Sequence, residues 1–407
     1  MNKFSANYLR WLQHQVHSLF TASGGATDPQ RLSDVDVRPQ NSVPLLRRAL
    51  LSYVVPPIPI TPNDPRFFES RTIYMWHAYE FTRVLNELGY KVDIIRFDDT
   101  KFIPQAQYDL FVGHGGVIFG QIAEQLPREC IRIYWSTGCY WQFHNEQELA
   151  RLEALRARRG VALPPDRLIA HSEERALELA DGIIGLGNHF TRRTYAKFGQ
   201  VFMVNNMAKP PDPAAHGAHD WEAGKHHFLY YAGGGCVHKG LDLLLETFLQ
   251  LKDQHLWICA PIEPEFGALY ADALNGRPNI HLLGVIPPRS RAFINVAQRC
   301  NFSILPSCSE GQPHSIVECM AHGLIPVVSE ACGVDVDGIG YTLASCSVEH
   351  IVQEARMLSA GAGVEFQAMS ATVRHVTAER YTERAFTDCW RNGVLAIMHA
   401  KGSQAPN

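Results

Sequence analysis

Two runs of alternating strand and helix, separated by one stretch that supports neither, limit how this chain can fold. From 49 to 206, buried-strand and helical patterns take turns: ALLSYVVPPIPI, the helical HAYEFTRVLNELGY closing at Gly89, then KVDIIRF, YDLFVGHGG, IRIYWSTG and ADGIIGLG, the helical FTRRTYAKFG, and QVFMVNN. A polar segment at 21–45 precedes them. Residues 209–227, KPPDPAAHGAHDWEAGKHH, are rich in proline, glycine and alanine and lack a hydrophobic period, as a linker does. The alternation then restarts with FLYYAGGG, a helix at 240–252, HLWICAP, a helix near 264–274, IHLLGVI, a helix around 290–299, FSILPS, the helix SIVECMAHG and the strand IPVVS. Strands separated by helices pair in parallel, so the chain is expected to be α/β, with two doubly wound Rossmann-like sheets facing across a cleft. The expected domains are 1–208 and 228–378, with 209–227 between them. Ligands of such sheets bind at the carboxyl ends of the strands.

Composition removes several classes of function. A formal net charge of −4 and a pI near 6.5 give no general basic field, so a nucleic-acid partner is not expected. Ten cysteines stand singly, with no C-x-x-C pair, which favours a reducing cytoplasm over a disulfide framework. The N-terminal stretch lacks the continuous apolar core of a signal peptide, and no segment is long and apolar enough to span a bilayer. It does carry a helical stripe, Phe4, Tyr8, Trp11, Leu12, Val16 and Leu19, with Lys3 and Arg10 nearby. Such a stripe either makes a peripheral membrane contact, at the inner face of the membrane, or packs on its own domain.

Three features of the second half fall at strand-to-helix transitions. In YYAGGGCVHKGLDLLLETF, Gly233, Gly234 and Gly235 allow close backbone approach, the next helix offers its N-terminus, and Lys239 adds a positive charge. This suits a phosphate or diphosphate; the alternative is a glycine turn with a solvated lysine. In CSEGQPHSIVECMAHG, Glu310 lies in the loop and Glu318 about one turn inside the helix, whose N-terminal amides near Ser315 make a second anion site. A carboxylate can accept from both hydroxyls of a ribose, or Glu318 simply favours the helix dipole. In NIHLLGVIPP, Gly284 ends a strand and Val285 and Ile286 either lie against a base or belong to a core strand. The expected ligand therefore carries phosphates and at least one sugar.

GGGCVHKGLDLLLETF, PNIHLLGVI and LPSCSEGQPHSIVECMAHGLIPVVSEACGVD, in that order, resemble the C-terminal domain of the retaining GT-B glycosyltransferases of family 4, whose hallmark is Glu-x7-Glu. The resemblance covers about 230–340 and extends more loosely through ADGIIGLGNHFTRRTYAKFG. It implies Glu310 at the donor sugar and Lys239 at the leaving diphosphate as the catalytic pair. It also implies Glu318 on the ribose, and a donor site completed by Gly234, Gly235, His238, Val285, Gly311, Gln312, Pro313, His314 and Ser315. The helical segment 379–400 resembles the terminal helix that crosses back to complete the first domain. Two positions depart from the family pattern. Gly234 stands where an arginine is common, with His238 as a partial replacement. IRIYW leads to Ser136, Thr137 and Gly138 where a histidine often follows, with His114 and His144 as substitutes.

The implied reaction is retaining transfer of a sugar from a UDP- or GDP-sugar to a hydroxyl of a glycan or lipid-linked acceptor, in surface polysaccharide, lipopolysaccharide or glycolipid assembly. The chemistry is a same-face displacement guided by charge and positioning. No cofactor or metal is expected; Asp98 and Asp99 read as a solvated turn. Acceptor contacts are expected from loops 62–79, 113–119 and 136–145, with His114, Thr137 and Trp141 as candidates and Tyr74, Trp76, Tyr140 and Trp141 offering aromatic faces either for stacking or for packing. The alternatives are a non-catalytic nucleotide-sugar or glycan-binding protein and a nucleotide-sugar epimerase.

Overall fold

The computed structural model describes residues 31–39, 42–58, 73–212 and 219–402. The N-terminal stripe at 4–19, the end of the run ALLSYVVPPIPI and most of loop 62–79 lie outside them. The first sheet contains β1 (Arg31–Val35), β2 (Arg47–Tyr53), β3 (Tyr90–Arg96), β4 (Leu110–His114), β5 (Ile131–Ser136), β6 (Gly182–Leu186) and β7 (Val201–Val204). They run in the order β1-β3-β2-β4-β5-β6-β7, parallel throughout except for the edge strand β1, which is antiparallel to β3 with an irregular register. The second sheet contains β8 (His227–Tyr231), β9 (His255–Cys259), β10 (Ile280–Leu282), β11 (Phe302–Leu305), β12 (Ile325–Ser329) and β13 (Tyr341–Leu343), in the order β10-β9-β8-β11-β12-β13. That sheet is parallel throughout, with its order reversing at β8. Both sheets are thus doubly wound, as the alternation predicts. The short helix Trp221–Gly224 and His227 at the start of β8 lie in the stretch expected to lack regular structure, and the helix expected at 264–274 is two pieces, Pro264–Leu269 and Ala271–Leu274.

Helices cover both faces of each sheet, which is why the inner strands read as nearly continuous apolar runs. One face of the first sheet packs on the helix Ile73–Glu87 and on the C-terminal helix Glu383–Ala400. Phe386, Trp390, Val394, Ile397 and Met398 of that terminal helix enter this core, where Trp390 stacks on Phe81 with ring centroids 4.3 Å apart. Thr382 caps its first turn by accepting from the Ala385 amide at 3.1 Å. The reverse exchange is made by the helix Trp141–Arg159. It follows β5 in the first half, yet Leu152 and Leu155 are buried in the core of the second, and Gly160 ends it in the left-handed conformation. Among the described residues no helix is long and apolar enough to cross a membrane.

The carboxyl ends of the two sheets face each other, and glycines let their loops approach closely. A Cβ at Gly311 would collide with the Thr137 carbonyl, and one at Gly333, where φ is +63°, would collide with the carbonyl of Gly311. Beside them Asn188 donates to Asp335 at 2.7 Å and Thr191 to the Gly311 carbonyl at 3.2 Å, so loops of both halves form one seam.

Candidate functional site

Where β11 ends, Pro306 stops the strand and the chain turns through Ser307–Pro313 into the helix His314–Ala321. Glu310 lies in this turn. Its amide donates to the Ala331 carbonyl at 2.9 Å, its carbonyl accepts from the Cys139 thiol of the first half, and its carboxylate accepts from Lys239 and, at 2.9 Å, from Ser307. Burial by itself would raise the Glu310 carboxyl, but the charges of Lys239, His238 and Arg167 outweigh it and hold it at about 2. Glu310 and Lys239, expected as a pair from sequence, are brought into contact.

Glu318 is different. It is fully buried one turn into the helix, and neither carboxylate oxygen has a hydrogen-bond partner among the described residues. Arg289 Nε approaches to 3.6 Å and His314 Nε2 to 3.8 Å. Burial raises its carboxyl to about 7, with Arg289 and Lys209 opposing the shift. A buried carboxylate without donors costs free energy, and donors supplied from outside the chain would offset that cost. His314 is pushed down to about 4 by burial and then by Arg289, so it is neutral at physiological pH. Val285, beyond β10, is exposed on the surface of the turn that follows Gly284.

Three expected donor contacts have other partners. The amides of Gly235 and Cys236 donate to the Glu263 carboxylate at 2.7 and 3.2 Å, so part of the glycine loop serves an internal anion, while Gly234 is only half-buried. His238 is fully buried, with Nδ1 2.7 Å from Glu148 and Nε2 2.6 Å from the Ser309 carbonyl, which leaves it no nitrogen for a ligand. Gln312 donates to Asn205 and to the Gly333 carbonyl and accepts from the Asn206 amide, and thereby fastens the two halves. Pro313 immediately precedes the helix, and Ser315 is half-buried in its first turn.

On the first-half wall, Tyr74, His114, Thr137, Gly138, Arg167 and Glu173 line a cleft of about 220 Å³ whose far side is Ser309, Glu310 and Gly311. His114 is fixed by a 2.9 Å hydrogen bond between Nδ1 and the Trp135 carbonyl, and burial lowers it. His144 also lines this cleft, but its nitrogens meet Ser309 Oγ at 3.2 Å and the Arg167 carbonyl at 2.7 Å. Of the four aromatic faces, Tyr74 alone belongs to the cleft lining: Trp76 packs edge-on to Phe386, Tyr140 is buried, and Trp141 packs beside Tyr140 with its amide bonded to Glu173. These three follow the packing alternative: the helix Ile73–Glu87 turns Trp76 into the core, and Tyr140 and Trp141 pack where the helix Trp141–Arg159 begins. Arg167, His171 and Glu173 are cleft residues that sequence reasoning missed. They lie on a polar segment whose place depends on the long helix before it.

For a metal, the described residues offer one close group: Glu148, His238 and Cys308, all buried, with one donor atom each within 4.8 Å of one another. The hydrogen bonds from His238 to Glu148 and Ser309 already satisfy its imidazole.

Residues 226–360 match the family glycosyl transferases group 1. No curated protein sequence matches the chain. Solved structures share its architecture. Sucrose-phosphate synthase from Thermosynechococcus elongatus superposes with a TM-score of 0.58 at 14% identity, over 87% of this chain and 100% of that one. Anabaena HepE in complex with UDP and glucose gives 0.51 at 12% identity, over 77% and 88%. S. aureus TarM, in a complex that includes UDP, gives 0.52 at 14% identity over 72% of this chain, which spans 57% of TarM's length. The fold is GT-B, two parallel-sheet domains across a cleft, as the alternation and the resemblance imply.

Proposed function

We propose that the protein is a retaining glycosyltransferase that moves a sugar from a nucleoside diphosphate sugar to a hydroxyl of a glycan or lipid-linked acceptor. The observation that carries this reading is Glu318, fully buried at the start of a helix with neither oxygen hydrogen-bonded among the described residues. A ribose diol supplies two donors of the required kind. Eight residues earlier Glu310 is held ionised against Lys239 at the edge of the cleft, where a sugar attached to the same nucleotide would lie. The match of 226–360 to glycosyl transferases group 1, and the UDP in the HepE and TarM structures, support the same ligand class.

In this reading the bond between the anomeric carbon and the β-phosphate oxygen breaks, and the electron pair leaves with the diphosphate. Lys239 and the N-terminus of the helix His314–Ala321 offset the charge that develops there. Ionised Glu310 stabilises the positive charge on the sugar. The acceptor hydroxyl attacks from the leaving-group side and gives its proton to a phosphate oxygen, so the anomeric configuration is retained. Tyr74, His114 and Thr137 line the first-half wall and would hold the acceptor. The charges required come from side chains and helix amides, so the reading calls for no metal.

Calorimetric titration of UDP and GDP into the protein and into Glu318→Ala is the test. Binding of one nucleotide, lost in the variant, is expected; binding that survives the substitution overturns the ribose assignment. Turnover that Glu310→Ala abolishes, with the product's anomeric configuration read by NMR, separates a transferase from a binding protein. Formation of product without an acceptor would instead mark an epimerase.

A further inference from the structure

In the reading above the leaving diphosphate has one side-chain cation, Lys239, and that lysine already faces Glu310. The glycine loop does not make up the deficit. Gly234 carries no side chain, and the amides of Gly235 and Cys236 are engaged by Glu263. A second cation nevertheless reaches the same place from the opposite domain. Arg167, between the helices Trp141–Arg159 and Glu174–Leu179, lines the cleft beside Ser309 and Glu310. Its Cγ and Cδ lie 2.9 Å from the point where a Cβ on Gly235 would stand.

We infer that Arg167 is a diphosphate-binding residue, which meets the leaving phosphates from the first domain while Lys239 meets them from the second. The inference rests on the nucleotide-sugar reading of the site. It gives Gly235 a different duty from the one its sequence suggests: the glycine makes room for the stem of Arg167, and φ of +97° suits that residue type. The guanidinium is a planar fork matched to phosphate oxygens, so one residue can contact two oxygens at once.

The arginine is also anchored where it stands. Its carbonyl accepts from His144 Nε2 at 2.7 Å, and its amide faces Glu148 Oε1 at 3.4 Å. Each of those two side chains also reaches the second domain, His144 at Ser309 and Glu148 at His238. The pair of cations is therefore assembled by the seam itself. Arg167 belongs to the first half of the sequence and Lys239 to the second, and the helix Trp141–Arg159 that anchors Arg167 is itself packed in the core of the second half. Electrostatics agree, since Lys239 and Arg167 both act on Glu310.

The experiment is calorimetric titration of UDP, GDP, UMP, GMP and inorganic pyrophosphate into the full chain and its Arg167→Ala, Arg167→Lys and Glu318→Ala variants. For the base that binds, Arg167→Ala is expected to weaken the diphosphate by about tenfold or more and the monophosphate by less than about threefold. Arg167→Lys should recover part of the loss, and Glu318→Ala should weaken both nucleotides alike. Equal effects of Arg167→Ala on diphosphate and monophosphate, or a diphosphate affinity within about threefold of the parent, overturn the inference. Should Arg167→Ala fail to fold, the ratio of diphosphate to monophosphate affinity in Arg167→Lys decides: a lowered ratio supports the inference and an unchanged one overturns it. Failure of both UDP and GDP to bind the parent would instead refute the nucleotide-sugar reading. Pyrophosphate alone then judges the cation pair, with binding that is lost in Arg167→Ala supporting it and no binding, or binding retained, refuting it.

Discussion

Replacing Glu318 by glutamine separates the cost of burying this carboxyl from the purpose it serves, because the two predict opposite signs. Burial raises the group from 4.5 to about 7 in the folded protein. Its folded value lies above its unfolded value, so between these limits the native state keeps a proton that the unfolded chain has released, and stability falls as pH rises. At about 1.4 kcal/mol per pH unit, the loss reaches roughly 3 kcal/mol by about pH 8. Glutamine does not titrate and removes this contribution. It brings an unpartnered amide of its own, at a cost of about 1–3 kcal/mol, so the readout is the pH slope and not the stability at one pH. Asp166 and Glu173, also raised to about 7 chiefly by burial, contribute equally to both proteins and cancel in the difference. Urea unfolding from about pH 5 to about pH 8 should therefore show the variant gaining roughly 2.5 kcal/mol on the parent. At about pH 8, where the parent carboxylate is ionised, the variant should bind nucleotide at least about tenfold more weakly, since a hydrogen bond to a charged acceptor contributes about 1.5–3 kcal/mol. Parallel stability profiles would refute the burial argument, and unchanged nucleotide affinity would refute the ribose role.

Four further outcomes are expected. Ribose hydroxyls favour the ionised form of Glu318, so nucleotide affinity should rise with pH up to about 7 and then level off, and this dependence should vanish in Glu318→Gln; calorimetry across pH measures it. Lys239→Ala removes the partner of Glu310 and should reduce turnover of the donor by about 10²–10³; it should also lower the thermal midpoint, because it leaves a buried carboxylate without its cation. Gly333→Ala forces a Cβ against the Gly311 carbonyl at a left-handed φ, and thermal unfolding should show a loss of about 1–3 kcal/mol. Trp390→Ala empties the stack on Phe81 and should cost about 3–5 kcal/mol, read by chemical denaturation.

The inner strands of both sheets are legible in the sequence because they are buried on two faces, which leaves an apolar run that few other structures produce. The edge strands β1 and β13 are not; β13, three residues long and paired with β12 alone, follows the last strand that the pattern marks. RLSDV is exposed along most of its length and pairs on one side only, so it lies hidden in the polar segment at 21–45. The helix Trp141–Arg159 is obscure for another reason: His144, Glu148 and Arg151 are among its buried residues, and they meet polar partners across the seam, which breaks the apolar period. In the site, Glu310, Lys239 and Glu318 could be singled out because each stands next to a strand end or helix start that the sequence marks. The roles of Glu263, Gln312 and Arg167 depend on partners far away in the chain, and no local pattern records them.

The helix Trp141–Arg159 and the terminal helix Glu383–Ala400 are exchanged between the halves, and this makes the obvious cut in the sequence the wrong one. A fragment that stops after β7 takes Leu152 and Leu155 away from the core they fill and lacks Phe386 and Trp390, which close its own. Each fragment thus carries a plug that belongs in the other. A chain nicked between 205 and 226 is expected to keep its pieces together under native conditions, and neither half is expected to fold when expressed alone. A chimera that transplants the second half from a relative has to bring 141–159 with it and leave 383–400 behind, so the heritable unit of this fold is an interleaved one.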